Sequence, residues 1–387
     1  MKTAILGGVL LVVAGVLIVT GILPLADAAA VAQRVWPILL FVVAITVLTE
    51  LAAQAELFRV VAERAAAWGG GRSWALWLLV VAFAVLATVF LSLDTTAVLL
   101  TPVVVLLARH VGLPPIPFAL TTVWLANTAS LLLPVSNLTN LLAQHALGGI
   151  SPAEFIALMW APAIVAILVP VVVLFVMFRR QLATGYVAAA GAAASDRVLL
   201  ISSAVVVCLL LPALVSGIAV WIPATIGAVV LVVLFAFRRR SALRFGLLPW
   251  QLVLLASGLF MVVEAAHALG MTELLAALAG GGEDFPGLLR LAGASAAGAN
   301  VGNNLPAYLA FETVAHSPLR IAALLIGVNA GCLITPWASL ATLLWHSRLR
   351  SMDVEFGWGR YVSLGFVVVP LTVVGSVAAL CVAASWQ

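Results

Sequence analysis

The chain carries little charge. Of its 387 residues, 8% are charged and 65% are hydrophobic, and the mean hydropathy is +1.26. Soluble domains carry about 25% charged residues, so this composition excludes a water-soluble protein. The apolar runs reach the roughly 20 residues that a helix needs to cross a bilayer, and they do not alternate as the strands of a membrane barrel do. The sequence therefore predicts an all-α polytopic membrane protein.

Lysine and cysteine are also scarce. The only lysine is Lys2, which excludes a P-loop and therefore an ATP-driven pump within this chain. The three cysteines, Cys208, Cys332 and Cys381, form no Cys-x-x-Cys pair, so the sequence indicates no structural zinc site or disulfide framework. There is no His-Glu-x-x-His motif and no evident nucleophile–base pair. We therefore predict that the protein is not an enzyme and that it has no catalytic residue, bound metal or cofactor.

The apolar runs are of three kinds. Single spans are predicted at 3–23, 33–53, 156–178, 198–215, 219–237, 249–269 and 361–384. The longer segments 116–146 and 318–345 contain polar interruptions, which predict broken helices. The stretches 73–110 and 286–315 read as helix pairs, and we interpret them as re-entrant hairpins.

The basic residues support the hairpins. With both hairpins re-entrant, Arg34, Arg290 and Arg320 lie on one side, and the other 15 of the 18 lysines and arginines lie on the opposite side. Positive residues resist translocation, so the basic side is predicted to be cytoplasmic. This places the N-terminus in the cytoplasm and the protein in the cell (inner or plasma) membrane. The first apolar run is longer than the roughly 7–15 residues of a signal-peptide core, which favours a retained helix, and the alternative is a cleaved signal peptide.

The chain contains a weak internal duplication. Trp36 and Glu50 recur as Trp250 and Glu264, and Asn127 and Pro134 recur as Asn329 and Pro336. The charge map starts the two copies on opposite sides, as in the inverted repeats of secondary transporters. The predicted organisation is an N-terminal transmembrane helix (1–32), inverted repeat 1 (33–180), connecting helices and cytoplasmic loops (181–248) and inverted repeat 2 (249–387).

All seven asparagines fall in two groups near the predicted breaks: Asn127, Asn137 and Asn140, and Asn300, Asn303, Asn304 and Asn329. An unpaired amide in hydrocarbon costs several kcal/mol. Hydrogen bonding between helices, worth about 0.6 kcal/mol per contact, explains one or two of them. The coincidence of both groups with Pro134 and Pro336 favours a binding site.

Hydroxyls and amides cluster at the hairpin tips and helix breaks. A proline removes a backbone donor and a Ser or Asn caps the following helix, so helix N-termini and unwound carbonyls should meet there. Such an uncharged lining suits a small polar solute or a partly dehydrated ion. The candidate substrate-binding residues are Thr95, Thr96, Asn127, Ser136, Asn137, Thr139, Asn303, Asn304, Asn329, Thr335 and Ser339.

Asp94 is the candidate coupling residue. Four carboxylates lie in predicted membrane segments, namely Glu50, Asp94, Glu264 and Glu312, and Asp94 alone lies at a predicted hairpin tip. An ionised carboxylate at that depth is costly. We therefore predict that Asp94 carries the coupling proton or pairs with a coupling cation, and the alternative is a neutral or capping structural residue.

The same motifs resemble the ArsB-type arsenite/antimonite permeases of the ion transporter superfamily. The stretches that carry the resemblance are 92–102, 126–129, 133–140, 298–306 and 328–336. The resemblance implies two inverted repeats, each with a re-entrant hairpin and a broken helix. It also implies export of trivalent arsenic or antimony hydroxide in exchange for protons. Cys332 lies beside the second break, and we interpret it as a packing residue.

Other functions in the same superfamily stay open. One is a sodium-coupled importer of a small di- or tricarboxylate-like anion, and another is a sodium/proton antiporter. No basic residue lies among the polar breaks, which argues against a carboxylate, because arginine is its usual bidentate partner. The expected partners are the metalloid substrate, protons and membrane lipid. A soluble cytoplasmic ATPase and a second copy of the chain are further candidates, and nucleic acid is not expected.

Overall fold

The computed structural model describes residues 2–187 and 195–385, and most of this described chain is helical. The first part contains α1 (Lys2–Val19), α2 (Leu25–Gln54), α3 (Leu57–Trp68), α4 (Ser73–Leu91), α5 (Thr101–His110), α6 (Pro115–Thr128), α7 (Leu138–Ala146) and α8 (Pro152–Leu182). The second part contains α9 (Arg197–Val215), α10 (Trp221–Arg238), α11 (Trp250–Ala268), α12 (Met271–Ala279), α13 (Phe285–Val301), α14 (Asn304–Glu312), α15 (Pro318–Leu325), α16 (Leu340–Arg350) and α17 (Trp358–Ala384). Residues 188–194 of the predicted connecting region lie outside the described residues.

The helices confirm a multi-pass membrane protein. Within the described chain, seven are long and apolar enough to cross a bilayer: α2, α4, α8, α9, α10, α11 and α17. Helix α8 begins earlier than predicted because Ser151, the residue before it, forms a capping box with Glu154 in its first turn. The positions of the arginines distinguish the two membrane faces of the protein. The arginine-rich face is where α2, α8 and α10 end, and the arginine-poor face is the opposite one.

The first predicted hairpin is confirmed, because both of its ends lie on the arginine-rich face. At its start, the backbone N–H of Ser73 donates to the carbonyl of Thr184 at 3.2 Å, just beyond the end of α8. At its end, Arg109 donates to the carbonyl of Asp353 at 3.2 Å, just beyond the end of α16. Helices α4 and α5 therefore enter and leave on one side, and the tip at residues 92–94 lies inside the bundle.

The second hairpin enters from the arginine-poor face. The guanidinium of Arg320, at the start of α15, donates to the carbonyls of Gly280 and Gly282 ahead of α13. It also donates to the carbonyl of Val314, just past the end of α14. One buried arginine thus ties both ends of this hairpin together. The tip at residues 302–303 therefore points into the bundle from the side opposite to the first tip.

Both broken helices are also confirmed. Helix α6 ends at Thr128, short 3-10 turns follow at Ala129–Leu131 and Pro134–Ser136, and α7 restarts at Leu138. Helix α15 runs into a π-helical turn at Ile326–Ala330, and α16 restarts at Leu340. The intervening backbone is irregular, which membrane proteins tolerate only where protein or a cavity surrounds it.

The two copies pack as an inverted pair. Helix α8 of repeat 1 lies along α17 of repeat 2, and the flanking helices pack in the same way, with α10 of the connecting region along α2 and the N-terminal α1 along α11. The α1–α11 contact is very close, because a Cβ atom on Gly7 would lie 2.7 Å from the backbone nitrogen of Leu255. Small residues permit such close approach of membrane helices. The exact domain boundaries given above stay a prediction.

Polar contacts order the arginine-rich face. Asp196 caps α9 by accepting from the backbone N–H groups of Val198 and Leu199, and it also accepts from the guanidinium of Arg238 at 2.9 Å. The hydrogen bond from Arg238 is the main reason why the pKa of Asp196 lies below its ordinary value.

Helix α3 is amphipathic, and its Arg59 pairs with Glu56 and Glu63.

Candidate solute site

A cavity of about 350 Å³ lies where the two hairpin tips and the two helix breaks meet. The first tip contributes Ser92 to Asp94, and the second tip contributes Gly302 to Asn304. The breaks contribute Asn137 and Ser339. Residues far apart in the sequence therefore surround one space, as the duplication predicts.

The first tip holds a strained residue and a carboxylate. Ser92 has φ of 111° and ψ of 160°, a region that costs a residue with a side chain about 1–3 kcal/mol and that is common at functional sites. Its hydroxyl accepts from the backbone N–H of Thr95 at 3.5 Å. Asp94 lines the cavity, and its carboxylate makes no hydrogen bond or ion pair within the described chain.

Two predicted threonines of this hairpin are engaged within it. The hydroxyl of Thr95 donates to the carbonyl of Leu91 at 3.1 Å, and Thr88 donates to the hydroxyl of Thr96 at 2.8 Å. Both threonines are buried. Thr95 lines a neighbouring cavity on the arginine-rich side rather than the solute cavity. Their role as substrate ligands stays a prediction.

The second tip presents two asparagines. The side-chain amide of Asn303 donates to the carbonyl of Trp337 at 3.0 Å and accepts from the backbone N–H of Leu305 at 3.3 Å. Asn304 also lines the cavity. Its side-chain amide has no hydrogen-bond partner within the described chain, so both its donor and its acceptor are free for a solute.

The breaks of the two copies are joined by an amide cluster, made of Asn137, Thr139, Asn140 and Asn329. The Oδ1 atom of Asn329 accepts from Asn137 Nδ2 at 2.9 Å and from Thr139 Oγ1 at 3.0 Å. The Nδ2 group of Asn329 donates to Asn140 Oδ1 at 2.9 Å. Asn140 Nδ2 in turn donates to the carbonyls of Ser130 and Leu133. The cluster is buried and fixes the two breaks against each other.

The remaining predicted residues are bonded inside the protein. Ser136 donates to the carbonyl of Val89 at 2.8 Å, and Thr335 donates to the carbonyl of Asn300 at 2.7 Å. Asn127 donates to the carbonyl of Val123 and accepts from the thiol of Cys332 at 3.3 Å. Cys332 is fully buried and does not line the cavity. These bonds hold the breaks in place around the cavity.

Ser339 differs from those residues. It lines the cavity and is fully buried, yet its hydroxyl has no hydrogen-bond partner within the described chain. A buried polar group without a partner costs about 1–3 kcal/mol, so a ligand or water is expected there. The uncommitted polar ends that face the cavity are therefore the Asp94 carboxylate, the Asn304 amide and the Ser339 hydroxyl.

Helix N-termini also converge on this space. The N-terminal ends of α7, α14 and α16 line the cavity through Leu138, Asn304 and Leu340, and the returning arm of the first hairpin does so through Leu93 and Asp94. Asn137 caps α7 through the backbone N–H of Thr139. Helix N-termini carry partial positive charge and free N–H donors, so they favour an oxygen-rich or anionic solute.

The apolar walls were missed by the sequence interpretation. Helix α2 contributes Phe41, Val42 and Ile45, and α11 contributes Leu252, Leu255 and Leu259. No sequence signal distinguishes these side chains from the many other apolar residues of the same spans. Among the described residues, no group of three or more His, Cys, Asp or Glu side chains could hold a metal ion.

Removing Asn329 should destabilise the fold more than removing Asn304. In Asn329→Ala, the groups of Asn137, Thr139 and Asn140 that bond to Asn329 lose their partner while buried. From the general cost of stranding buried hydrogen-bonding groups, we expect the free energy of unfolding to fall by about 2 kcal/mol. Asn304→Ala is the matched control, because that amide has no partner to strand. The check is thermal unfolding of the detergent-solubilised proteins by tryptophan fluorescence, and equal midpoints for the two variants would contradict the cluster's structural role.

Paired inverted copies, each with a hairpin tip and a broken helix at a shared cavity, define the architecture of secondary transporters. A sequence model of the citrate transporter family (CitMHS) matches residues 1–322. The chain therefore belongs to this family of membrane transporters.

The resemblance to arsenical pump proteins is confirmed as well. The chain is 28% identical over 393 residues to the arsenical pump membrane protein of Escherichia coli, covering 95% of this chain and 91% of that protein. It is 27% identical over 379 residues to the protein of that name from Yersinia enterocolitica, covering 92% and 88%. The putative arsenical pump membrane protein of Bacillus subtilis (strain 168) is 25% identical over 349 residues, covering 78% and 77%.

A solved structure shares the fold. The crystal structure of the YdaH transporter of Alcanivorax borkumensis, described as having an unusual topology, aligns with a TM-score of 0.57 and 17% sequence identity. The alignment covers 100% of this chain and 98% of that one.

Proposed function

We propose that the protein is a secondary active transporter that exports arsenite and antimonite, as their neutral trivalent hydroxides, in exchange for protons. The proposal places it in the inner membrane with the arginine-rich face and the N-terminus in the cytoplasm, since positive residues resist translocation. The observation that carries the proposal is the solute cavity, in which Asp94 is the one charged side chain among the lining residues. The names of the arsenical pump relatives support the substrate.

The cavity suits a neutral triol. Apart from the Asp94 carboxylate, its polar groups are amides, hydroxyls and helix N-termini, and no arginine, lysine or histidine lines it among the described residues. The Asn304 amide and the Ser339 hydroxyl supply donors and acceptors that no group in the described chain uses. The cysteine nearest to the helix breaks, Cys332, is buried outside the cavity lining. Binding through hydrogen bonds rather than arsenic–thiolate bonds is reversible, as release on the far side requires.

Proton exchange is assigned to Asp94. When protonated, its carboxyl group is neutral and donates a hydrogen bond, and when ionised it carries a charge that a membrane interior disfavours. In the proposed cycle, the proton and the solute bind at this tip in alternate steps. Alternating exposure of this tip to the two faces would couple inward proton movement to outward movement of the hydroxide.

A sodium-coupled importer of a small anion is the second candidate. The convergence of four helix N-termini on the cavity favours an anion, and the matched family is described by citrate transport. Against it, no basic side chain in the described part of the chain lines the cavity to neutralise two or three carboxylates.

Transport assays in everted membrane vesicles separate the two candidates. We expect an acid-inside pH gradient to drive arsenite uptake, and a sodium gradient without a pH gradient to drive none. Trans-loaded unlabelled arsenite should also accelerate uptake of labelled arsenite by counterflow. Sodium-driven uptake of citrate or a dicarboxylate that does not respond to pH would reject the antiporter in favour of the importer.

A further inference from the structure

A second cavity, of about 410 Å³, adjoins the solute cavity on the arginine-rich side. We call it the vestibule. It shares Ser92 and Asp94 with the solute cavity, so Asp94 lies at the boundary between the two. Its far wall is the loop at residues 246–249, which follows the arginines at the end of α10, together with Trp250 at the start of α11. The vestibule therefore lies between the candidate coupling residue and the arginine-rich face.

The vestibule contains a second carboxylate. Glu50, near the end of α2, lines it together with Arg348 of α16 and Gln251 of α11. The end of α2 lies at the arginine-rich face, because Arg239 donates to the carbonyl of Gln54 at 3.0 Å. Glu50 and Arg348 form no ion pair or side-chain hydrogen bond within the described chain. An ionisable group within a membrane helix usually marks an ion or proton pathway.

Most other groups around Glu50 cannot accept a proton. Thr49 directly precedes Glu50 on α2 and Thr46 lies one turn earlier, and their hydroxyls donate to the carbonyls of Ile45 and Val42. The other polar side chains that line the vestibule from packed elements are the neutral Gln251 of α11, Arg348 of α16 and Asp94 of the first hairpin. Between Asp94 and the arginine-rich face, Glu50 is thus the one carboxylate among the residues that line the vestibule.

We propose that Glu50 relays the coupling proton between Asp94 and the cytoplasm, and that the vestibule is the route. This assignment rests on the proposed proton antiport. The O–H bond of protonated Asp94 breaks, and the proton passes through water in the vestibule to the carboxylate of Glu50. Glu50 then releases the proton to cytoplasmic water, which leaves both carboxylates ionised. Arg348 offsets the negative charge that remains on Glu50, so that the proton is passed on rather than held.

The test compares two assays on Glu50→Gln in everted vesicles. Arsenite uptake driven by an acid-inside pH gradient requires net proton release through the vestibule, whereas arsenite counterflow requires no net proton movement. We expect the initial rate of pH-driven uptake to fall at least about tenfold, and counterflow to stay within about twofold of the wild type. Glu50→Asp, which keeps a titratable carboxylate, should recover most of the pH-driven rate. Glu355→Gln is the control, because Glu355 is exposed beyond α16 and outside the vestibule.

The outcomes are distinct. A Glu50→Gln protein with normal pH-driven uptake would overturn the relay, and so would equal losses in both assays, which would indicate a merely structural role. A wild-type protein without arsenite counterflow would instead refute the proposed substrate, and the relay with it. The two failures are distinguishable because only the second one affects the wild type.

Discussion

Asp94→Asn should reduce pH-driven arsenite uptake to about a tenth of the wild-type rate or less, a barrier change of about 1.4 kcal/mol or more. The asparagine keeps the size of the side chain at the first hairpin tip but cannot bind and release a proton. The carboxylate makes no hydrogen bond within the described chain, so its replacement strands no partner and the fold should tolerate it. Arsenite counterflow should therefore persist in this variant, because exchange of solute for solute needs no proton.

Asp353→Asn is the matched control for this prediction. It makes the same chemical change at an exposed residue beyond α16, where φ is 54°, a backbone conformation that asparagine adopts readily. Both assays should give wild-type rates for the control. Full pH-driven transport by Asp94→Asn would show that the coupling proton binds elsewhere.

Glu312→Gln should open the arginine-poor side of the transporter. Glu312, at the end of the second hairpin, pairs with Arg34 of α2 and accepts from the hydroxyl of Tyr308 at 3.3 Å. The ion pair joins the second hairpin to α2, a helix of the other copy. On the arginine-rich side, by contrast, the vestibule separates the first hairpin from the loop before α11. An ion pair therefore ties the two copies together on the arginine-poor side, whereas a cavity lies on the arginine-rich side. For this partly buried pair we expect the substitution to remove about 1–3 kcal/mol of stabilisation from the state in which the arginine-poor side is closed. Such a change shifts the equilibrium between closed and open states about 5- to 150-fold.

Thiol labelling measures this shift. A cysteine at Asn303, in a background with Cys208→Ser and Cys381→Ser, should react faster with a membrane-impermeant reagent applied from the arginine-poor side when Glu312→Gln is present. Glu283→Gln is the control, because Glu283 is exposed on the same face and forms no ion pair within the described chain. The charge-swapped pair Arg34→Glu with Glu312→Arg should restore slow labelling. Unchanged labelling in Glu312→Gln would mean that the pair does not hold that side closed.

The hairpins and breaks could be predicted because their causes are local or additive. Positive residues assign each loop to a side, so the distribution of all 18 lysines and arginines supported the interpretation that 73–110 and 286–315 return to the face they entered from. Pro134 and the polar run after it disrupt a helix wherever they occur. The recurrence of Asn127 and Pro134 as Asn329 and Pro336 then predicted that both copies contribute to one site.

The sequence could not predict which polar residues hold the fold together and which stay free to bind a solute. A sequence gives the type of a side chain but not its partner, and Asn329 and Asn304 look alike until the fold is known. The side chain of Asn329 bonds to three side chains of the opposite copy, whereas the side chain of Asn304 bonds to none within the described chain. Ser136 and Ser339 differ in the same way, because only Ser136 reaches a carbonyl of another helix. Hydrogen bonding between helices therefore accounts for more of the asparagines than the sequence indicated.

The central claim is that the transported hydroxide binds where the tips of two inverted copies meet. Antimony tests this directly, because its anomalous X-ray scattering locates the atom in a crystal of the protein grown with antimonite. We predict an antimony peak inside the solute cavity, between Asp94, Asn304 and Ser339. A peak only at the thiols of Cys208, Cys332 or Cys381, or an antimony-free cavity at saturating antimonite, would contradict the account.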